Sequence, residues 1–164
     1  MFKRILLPTD GSALSRQAAT DGILLAKECG AEIVAVHVLP VPHDDQLDAW
    51  LHHDPLFAVH RQALFEKSAD TFLSFVAAGA QAQQVRCVCH KAAAQEPYQA
   101  ILDTARQERC DLIYMASHGW KGGAAQLLGS QTVKVLHYSE IPVLVHKTRG
   151  APMWRPIDTG EATP

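Results

Sequence analysis

The chain has 164 residues, of which 48% are hydrophobic and 20% charged, and its formal net charge is −2 at pH 7. This length and composition are typical of one folded domain of about 100–200 residues with a buried core. The small net charge provides no general attraction to nucleic acid or to an anionic membrane, so we expect neither as a partner. The run Ile5-Leu6-Leu7 is too short for a signal peptide, and no apolar run approaches the ~20 residues of a membrane span. We therefore expect a cytoplasmic protein.

Five short apolar segments alternate along the chain with segments of helical periodicity. They are rich in Val and Ile, and several are apolar without interruption, as strands are when helices cover both faces of a sheet. The five segments are residues 3–7, 32–38, 85–90, 111–116 and 142–146. This alternation predicts an α/β fold with a parallel sheet and right-handed crossovers.

Capping residues predict where the helices between these strands begin and end. Ser12 is placed to cap the first helix, and Gly30 follows its last turn, where a left-handed residue is favoured. The later helices are predicted to begin at Pro55, at Pro97 and near Gly129-Ser130, the second helix ending before Gly79. We expect one domain over residues 1–147 and an irregular C-terminal tail over 148–164, which is rich in Pro and Gly.

Four cysteines are scattered along the chain without a Cys-x-x-Cys pair. Cys87 and Cys89 flank Val88 in a predicted strand, so their thiols would point to the same face. We interpret all four cysteines as small buried hydrophobic side chains, with a redox switch as the alternative.

The segment 41–53 is rich in His and Asp, with His43, His52 and His53 in it and His60 beyond it. Imidazole and carboxylate are competent ligands for zinc and other transition ions. No pair here has the spacing of a known metal site, so we interpret the segment as a solvated connector, with a metal site as the alternative.

Two polar motifs directly follow predicted strands, at the carboxyl ends where open α/β sheets bind their ligands. The first motif is Pro8, Thr9 and Asp10, followed by Gly11 and Ser12. Asp10 can accept hydrogen bonds from a ribose hydroxyl or from an adenine amino group. It can equally be a turn residue, because Asp-Gly is a standard turn pair. Both interpretations stand at this point.

The second motif joins the fourth predicted strand to the fourth helix. It reads Met115-Ala116-Ser117-His118-Gly119, then nine residues that include Trp120-Lys121-Gly122-Gly123, then Gly129-Ser130. Glycines let a backbone approach a phosphate, and a helix N-terminus attracts an anion through its free N–H groups and its dipole. The motif predicts a phosphate site, and the alternative is a loop whose glycines serve only tight turns.

Taken in order, these motifs resemble the universal stress protein (UspA-like) family. The resemblance rests on the Pro-Thr-Asp-Gly-Ser opening, on His37-Val38, on Ser117-His118-Gly119, on Leu127-Leu128-Gly129-Ser130 and on the closing Ile-Pro-Val-Leu-Val of 141–145. It implies an open five-stranded parallel sheet in the order 3-2-1-4-5 with helices on both faces. Such a fold is Rossmann-like, of the adenine nucleotide alpha hydrolase-like type. It also implies a homodimer formed through the last strand, from Pro142 to His146.

Some members of this family bind ATP through Gly-x-x-Gly-x(9)-Gly-[Ser/Thr], and others lack the glycines and do not bind it. By position, the resemblance implies that Pro8, Thr9 and Asp10 border the adenine and the ribose, and that Val38 offers backbone contacts to the base. The residues implied around the phosphates are Gly119, Gly129, Ser130, Gln131 and Thr132, with Met115, Ala116 and His118 beside them.

Ala116 departs from this pattern because it occupies the position of the first glycine. If that position needs a positive φ, alanine costs about 1 kcal/mol. If it needs only a small side chain, alanine is tolerated.

We expect a universal stress protein that binds ATP with Mg²⁺, or another adenine nucleotide, as a regulatory ligand in a stress response. The alternative is an interaction module with a vestigial pocket and an unidentified protein partner, and a slow ATPase ranks third. No catalytic residue is assigned, because the chain has no P-loop and its only cation near the expected γ-phosphate is Lys121.

Overall fold

The protein is described by a computed structural model that covers residues 1–41, 55–119 and 128–147. Its strands are β1 (Arg4–Pro8), β2 (Glu32–Pro40), β3 (Cys87–Ala94), β4 (Leu112–Ala116) and β5 (Val143–His146). Its helices are α1 (Ala13–Cys29), α2 (Pro55–Ala82), α3 (Pro97–Gln107) and α4 (Ser130–Tyr138). The tail 148–164, Trp120-Lys121-Gly122-Gly123 and the histidines 43, 52 and 53 of the predicted connector lie outside the described residues.

All strand pairs are parallel, and the strand order is β3-β2-β1-β4-β5, which confirms the predicted sheet. Because β1 pairs with β2 on one side and with β4 on the other, the order reverses at β1. The chain leaves β1 and β4 in opposite directions across the sheet, which opens a crevice at their carboxyl ends.

The core consists of two layers, one on each face of the sheet. Along β1, Ile5 and Leu7 pack with residues of α1 and α2, whereas Leu6 packs with residues of α3 and α4. Ile5, Leu6 and Leu7 are all almost completely buried. Burial of such side chains on both faces explains why the strand sequences are apolar without interruption, and each contributes about 1.5–3 kcal/mol.

The first helix has the caps that its sequence predicts. The Ser12 hydroxyl accepts a hydrogen bond from the Ser15 N–H at 3.2 Å, and Gly30 has a φ of 64° at the C-terminal end. Glycine adopts this left-handed conformation at little energetic cost, so the chain can turn there into β2.

The second helix is longer than predicted, since α2 continues through Gly79 to Ala82. Ala80 in this last turn is fully buried, so tertiary packing extends the helix. A Cβ at Gly79 would lie 3.2 Å from the Ile23 Cδ1, and the absence of a side chain therefore lets α1 approach α2 closely.

Strands β2 and β3 extend further toward their carboxyl ends than the predicted limits of residues 38 and 90. The additional residues pair with each other, Leu39 with Ala93 and Pro40 with Ala94. The Ala-rich sequence of 92–94 has low intrinsic strand preference, so this pairing with β2 decides its conformation.

Candidate functional site

A cavity of about 250 Å³ lies at the carboxyl ends of β1, β2 and β4, where the strand order reverses. Ten of the twelve predicted site residues line it: Pro8, Thr9, Asp10, Val38, Met115, Ala116, His118, Gly119, Gln131 and Thr132. Gly129 and Ser130 are not among its lining residues, and Ser130 is exposed at the start of α4.

Sequence reasoning did not assign five further residues of the cavity wall: Ser15, Val36, His37, Pro97 and Ile101. Two of them have a sequence signal. Pro97 begins a helix, as Ser130 does, and the first turn of α3 meets the same cavity. His37 stands in the His37-Val38 motif of the second strand. The other three positions are ordinary helix or strand residues whose direction only the packed structure determines.

The turn after β1 is held by its own side chains. The Asp10 Oδ1 accepts a hydrogen bond from the Ser12 N–H at 3.0 Å, and the Thr9 Oγ1 accepts one from the Gly11 N–H at 3.3 Å. Gly11 has a φ of 76°, a conformation that glycine adopts without strain. Asp10 thus has the turn role considered from the sequence, and the same residue also borders the cavity.

Gly119 packs directly against the Asp10 carboxylate. A Cβ built on Gly119 would lie 2.1 Å from the Asp10 Oδ2, which is much closer than two nonbonded atoms can approach. A residue with a side chain at 119 would therefore displace the carboxylate. The glycine holds the loop after β4 against the turn after β1, 109 residues earlier in the chain.

Ala116 is the last residue of β4 and has an ordinary strand conformation. Among the described residues, positive φ values occur only at Gly11, Gly30, Gln84 and Arg109. The Ala116 carbonyl accepts a hydrogen bond from the Thr132 hydroxyl at 3.1 Å, which ties β4 to α4. Alanine at the first position of the glycine motif consequently carries no backbone strain here.

Gly129 also has an extended backbone, with a φ of −73°. Its N–H donates to the Ser117 carbonyl at 2.7 Å, and a Cβ on it would lie 3.2 Å from the His118 Cα. Close contact with the Ser117-His118 backbone, and not a special φ, is what favours glycine at this position.

Helix α4 begins at Ser130 without a side-chain cap, because Gly129 occupies the N-cap position. The Gln131 Oε1 accepts a hydrogen bond from the Tyr98 N–H at 2.9 Å, so this side chain caps α3. The side chains of Gln131 and Thr132 are thus engaged with α3 and β4. What α4 offers the cavity is the N–H groups of its first turn and the positive end of its dipole.

Three ionisable side chains line the cavity in the part of the chain that the structure describes: Asp10, His37 and His118. The His37 Nδ1 lies 2.7 Å from the Thr9 carbonyl oxygen, which makes it the donor of a hydrogen bond. The His118 Nδ1 lies 3.1 Å from the Ser117 hydroxyl. Both imidazoles are therefore held by neighbouring backbone or loop atoms. No group of three or more His, Cys, Asp or Glu side chains could hold a metal ion within residues 1–41, 55–119 and 128–147.

The four cysteines are not all buried, so the expectation was wrong for part of the set. Cys110 is buried, Cys29 and Cys87 are half-buried, and Cys89 is exposed. Burial raises the pKa of Cys110 to about 12. A hydrogen bond from Cys87 lowers the pKa of Cys89 to about 7, and the same contact raises the pKa of Cys87.

The model of the universal stress protein family matches residues 1–147. A universal stress protein of Methanocaldococcus jannaschii is 31% identical over 151 residues, which cover 90% of this chain and 83% of that protein. The chain belongs to the universal stress protein family. In the part of the chain that the structure describes, no helix is long and apolar enough to cross a membrane.

Solved structures of the family have the same fold. A universal stress protein in complex with cAMP superimposes with a TM-score of 0.67 at 19% identity, over 90% of this chain and 98% of its own. The universal stress protein of Archaeoglobus fulgidus in complex with dAMP superimposes with a TM-score of 0.60 at 16% identity, over 90% of this chain and 98% of its own.

Proposed function

We propose that this protein binds an adenine nucleotide in the cavity at the strand-order reversal, and that ATP with Mg²⁺ is its regulatory ligand. One observation supports this most strongly: a single cavity has the Asp10 carboxylate on one side and the uncapped first turn of α4 close by. A nucleotide needs both features, because its ribose hydroxyls donate hydrogen bonds and its phosphates are anionic.

The remaining walls suit an adenine base. Val36, Val38, Ile101 and Met115 line the cavity with apolar atoms, and a purine ring buries its faces favourably against such side chains. The ends of β2 and β4 add backbone groups that can bond to the edge of the base. The solved relatives bound to cAMP and to dAMP support an adenine nucleotide as the ligand class.

Ala116 does not argue for a vestigial pocket. The sequence left open whether this position needs a glycine conformation, and the ordinary strand backbone of Ala116 in β4 supports a pocket that tolerates alanine. A ligand that binds only the folded protein stabilises it by RT ln(1 + [L]/Kd), about 2.7 kcal/mol at a hundredfold excess over Kd. Nucleotide binding can in this way regulate the lifetime or the partner surface of the protein without catalysis.

The first experiment is to identify any nucleotide released from the denatured protein by mass spectrometry. The nucleotide-free protein is then titrated calorimetrically with ATP, AMP and cAMP, each with and without Mg²⁺. Saturable binding that Asp10→Ala weakens and Asp103→Ala leaves unchanged is expected. Asp103 is the matched control, because its side chain is 61% exposed on α3 and forms an ion pair with Arg106 one turn later. Absence of binding at millimolar nucleotide would favour the interaction module instead.

We further propose that the protein forms a homodimer through the edge strand β5, from Pro142 to His146. In the described residues β5 pairs only with β4, and Leu144 on it is 39% exposed. The neighbouring helix α4 exposes Val133 and Leu136. An edge strand with one free side, next to exposed apolar side chains, favours association with a second copy.

Sedimentation equilibrium tests this dimer. Leu144→Asp is expected to produce a monomer, whereas Leu24→Asp is expected to leave the dimer intact, since Leu24 is similarly exposed but lies on α1. A wild-type monomer, or equal dissociation of both variants, would contradict the proposed interface.

A further inference from the structure

Helix α3 meets the cavity with its N-terminal end, and this end is not capped from within the helix. Pro97 and Ile101, in its first two turns, line the cavity. A helix leaves the N–H groups of its first turn without partners, and proline at the first position has no N–H. The side chain of Glu96, at the N-cap position, forms no cap in the described structure. The Tyr98 N–H is therefore the first donor of α3 that needs a partner from another element.

Gln131 of α4 provides this partner. Its Oε1 accepts the hydrogen bond from the Tyr98 N–H at 2.9 Å, across 33 positions of sequence. Helix α4 is itself fixed to the sheet, because the buried Thr132 hydroxyl donates to the Ala116 carbonyl at 3.1 Å. Gln131 therefore connects the start of α3 to a helix whose own start is anchored at the end of β4. Gln131 also lines the cavity, so this connection lies at the cavity wall.

Three other contacts join α3 to α4 further from the cavity. The Lys134 Nζ lies 2.5 Å from the Glu96 Oε2 and 5.1 Å from the centre of the Tyr98 ring, which stacks on Tyr138. The Lys134 and Glu96 side chains are 39% and 41% exposed, and an ion pair so exposed contributes little. Of these contacts between the two helices, only the hydrogen bond of Gln131 involves a residue of the cavity wall.

The two helices that meet at Gln131 serve different parts of a nucleotide. The free N–H groups at the start of α4 attract phosphates, whereas Pro97 and Ile101 of α3 stand on the side of the base. The amide oxygen of Gln131 is already engaged by Tyr98. A side chain that acts through α3 changes the affinity for every ligand that has the base, with or without phosphates. A side chain that donates to a phosphate changes only the affinity for ligands that carry one.

We propose that Gln131 is a positioning residue, which holds α3 in place so that Pro97 and Ile101 form the base-side wall of the cavity. It does so by capping a helix that its own N-cap residue leaves open, and not by binding a phosphate. This role rests on the proposed binding of an adenine nucleotide, and it differs from the phosphate contact that the family resemblance implies for Gln131. Without the cap, α3 occupies the binding-competent position for a smaller fraction of the time, and the apparent affinity falls by that fraction.

The test compares ligands that share the base and differ in their phosphates. Calorimetric Kd values for adenosine, AMP and ATP with Mg²⁺ are measured for the full-length wild type and for Gln131→Met, which has no amide oxygen. The Kd should rise roughly three- to tenfold, by the same factor for all three ligands. Gln131→Glu should restore the wild-type Kd for adenosine, because a carboxylate oxygen still accepts the bond from the Tyr98 N–H. Gln107→Met is the matched control and should change no Kd, since Gln107 is exposed at the other end of α3 and outside the cavity lining.

A measurement without ligand tests the cap by itself. By NMR-detected hydrogen exchange, the Tyr98 amide should exchange more than roughly tenfold faster in Gln131→Met than in the wild type or in Gln131→Glu. The proposal is overturned if Gln131→Met weakens ATP but not adenosine, if it changes none of the three Kd values, or if Gln131→Glu binds adenosine as weakly as Gln131→Met. A wild type that binds none of the three ligands would refute the proposed function and this role with it, and the Tyr98 exchange would then report a cap that serves only the fold.

Discussion

Replacing Gly119 by alanine should weaken nucleotide binding by displacing Asp10. The new Cβ would lie 2.1 Å from the Asp10 Oδ2, whereas nonbonded atoms are at their best separation near ~3.5 Å. The carboxylate must therefore move by more than about 1 Å, which is enough to break a hydrogen bond to a ribose hydroxyl. A hydrogen bond to a charged group contributes about 1.5–3 kcal/mol, so the Kd should rise roughly tenfold to a hundredfold.

The fold should tolerate this substitution. Gly119 has no positive φ, and the atom that its Cβ meets is at the end of a flexible side chain. We expect the free energy of unfolding to fall by only about 1 kcal/mol, the typical contribution of one hydrogen bond, since the displaced carboxylate can at most lose its bond from the Ser12 N–H. Urea denaturation measures this, and it separates a displaced carboxylate from a damaged fold.

A double-mutant cycle decides whether Gly119 acts through Asp10. Calorimetric Kd values are measured for the wild type, Gly119→Ala, Asp10→Ala and the double variant. If the carboxylate is the common target, the double variant should bind as weakly as Asp10→Ala alone. Additive losses would refute the reasoning and assign Gly119 a role of its own. Asp10→Asn serves as the control for the turn, because an amide oxygen can still accept the Ser12 N–H bond.

Three further predictions concern other described contacts. Ala116→Gly should leave the calorimetric Kd for nucleotide unchanged and lower the free energy of unfolding in urea by about 0.5–1 kcal/mol, because glycine in a strand loses backbone entropy. Thr132→Val should lower that free energy by about 1 kcal/mol, because it removes the buried hydrogen bond to the Ala116 carbonyl. Alkylation of Cys89 by iodoacetamide, followed by peptide mass spectrometry, should accelerate as the pH rises through about 7, because only the thiolate reacts. Cys110, whose pKa burial raises to about 12, should stay unmodified over this range, and Cys87→Ala should move the Cys89 profile to higher pH.

Each of these three predictions has an outcome that would contradict it. Tighter nucleotide binding by Ala116→Gly would mean that the alanine does impair the site. An unchanged midpoint for Thr132→Val would mean that the hydroxyl adds nothing to the junction of β4 and α4. Alkylation of Cys110 at the same rate as Cys89 in the native protein would contradict their different burial.

Much of the secondary structure was predictable because it depends on local pattern. The Ser12 cap, Gly30 and Pro97 locate helix ends in the sequence and in the structure alike. The errors fall where packing outweighs local preference: α2 passes through Gly79, and β3 continues to Ala94 in a sequence of weak strand preference. In both places burial or pairing with a distant segment supplies free energy that a local pattern does not contain.

The same division applies to the candidate site. Sequence motifs located the segments after β1 and after β4, which line part of the cavity, because glycines and polar residues after apolar strands are a local signal. Ile101 and Val36 had no such signal, since their contribution depends on which way a helix or strand faces. The exposure of Cys89 was not predicted either, because alternation along β3 gives the face of its side chain but not how much of that face the neighbouring helix covers.

By itself the sequence determined the alternation of strands and helices, the parallel sheet and the motifs at the carboxyl ends of β1 and β4, since periodicity and capping are encoded in neighbouring side chains. Only the tertiary structure decided that Gly119 lies against Asp10 and that Ala116 has an unstrained strand backbone. It alone also showed that Cys89 is exposed whereas Cys110 is buried. The physical reason is that these features depend on contacts and burial between segments distant in sequence, which form only when the sheet and its helices pack together.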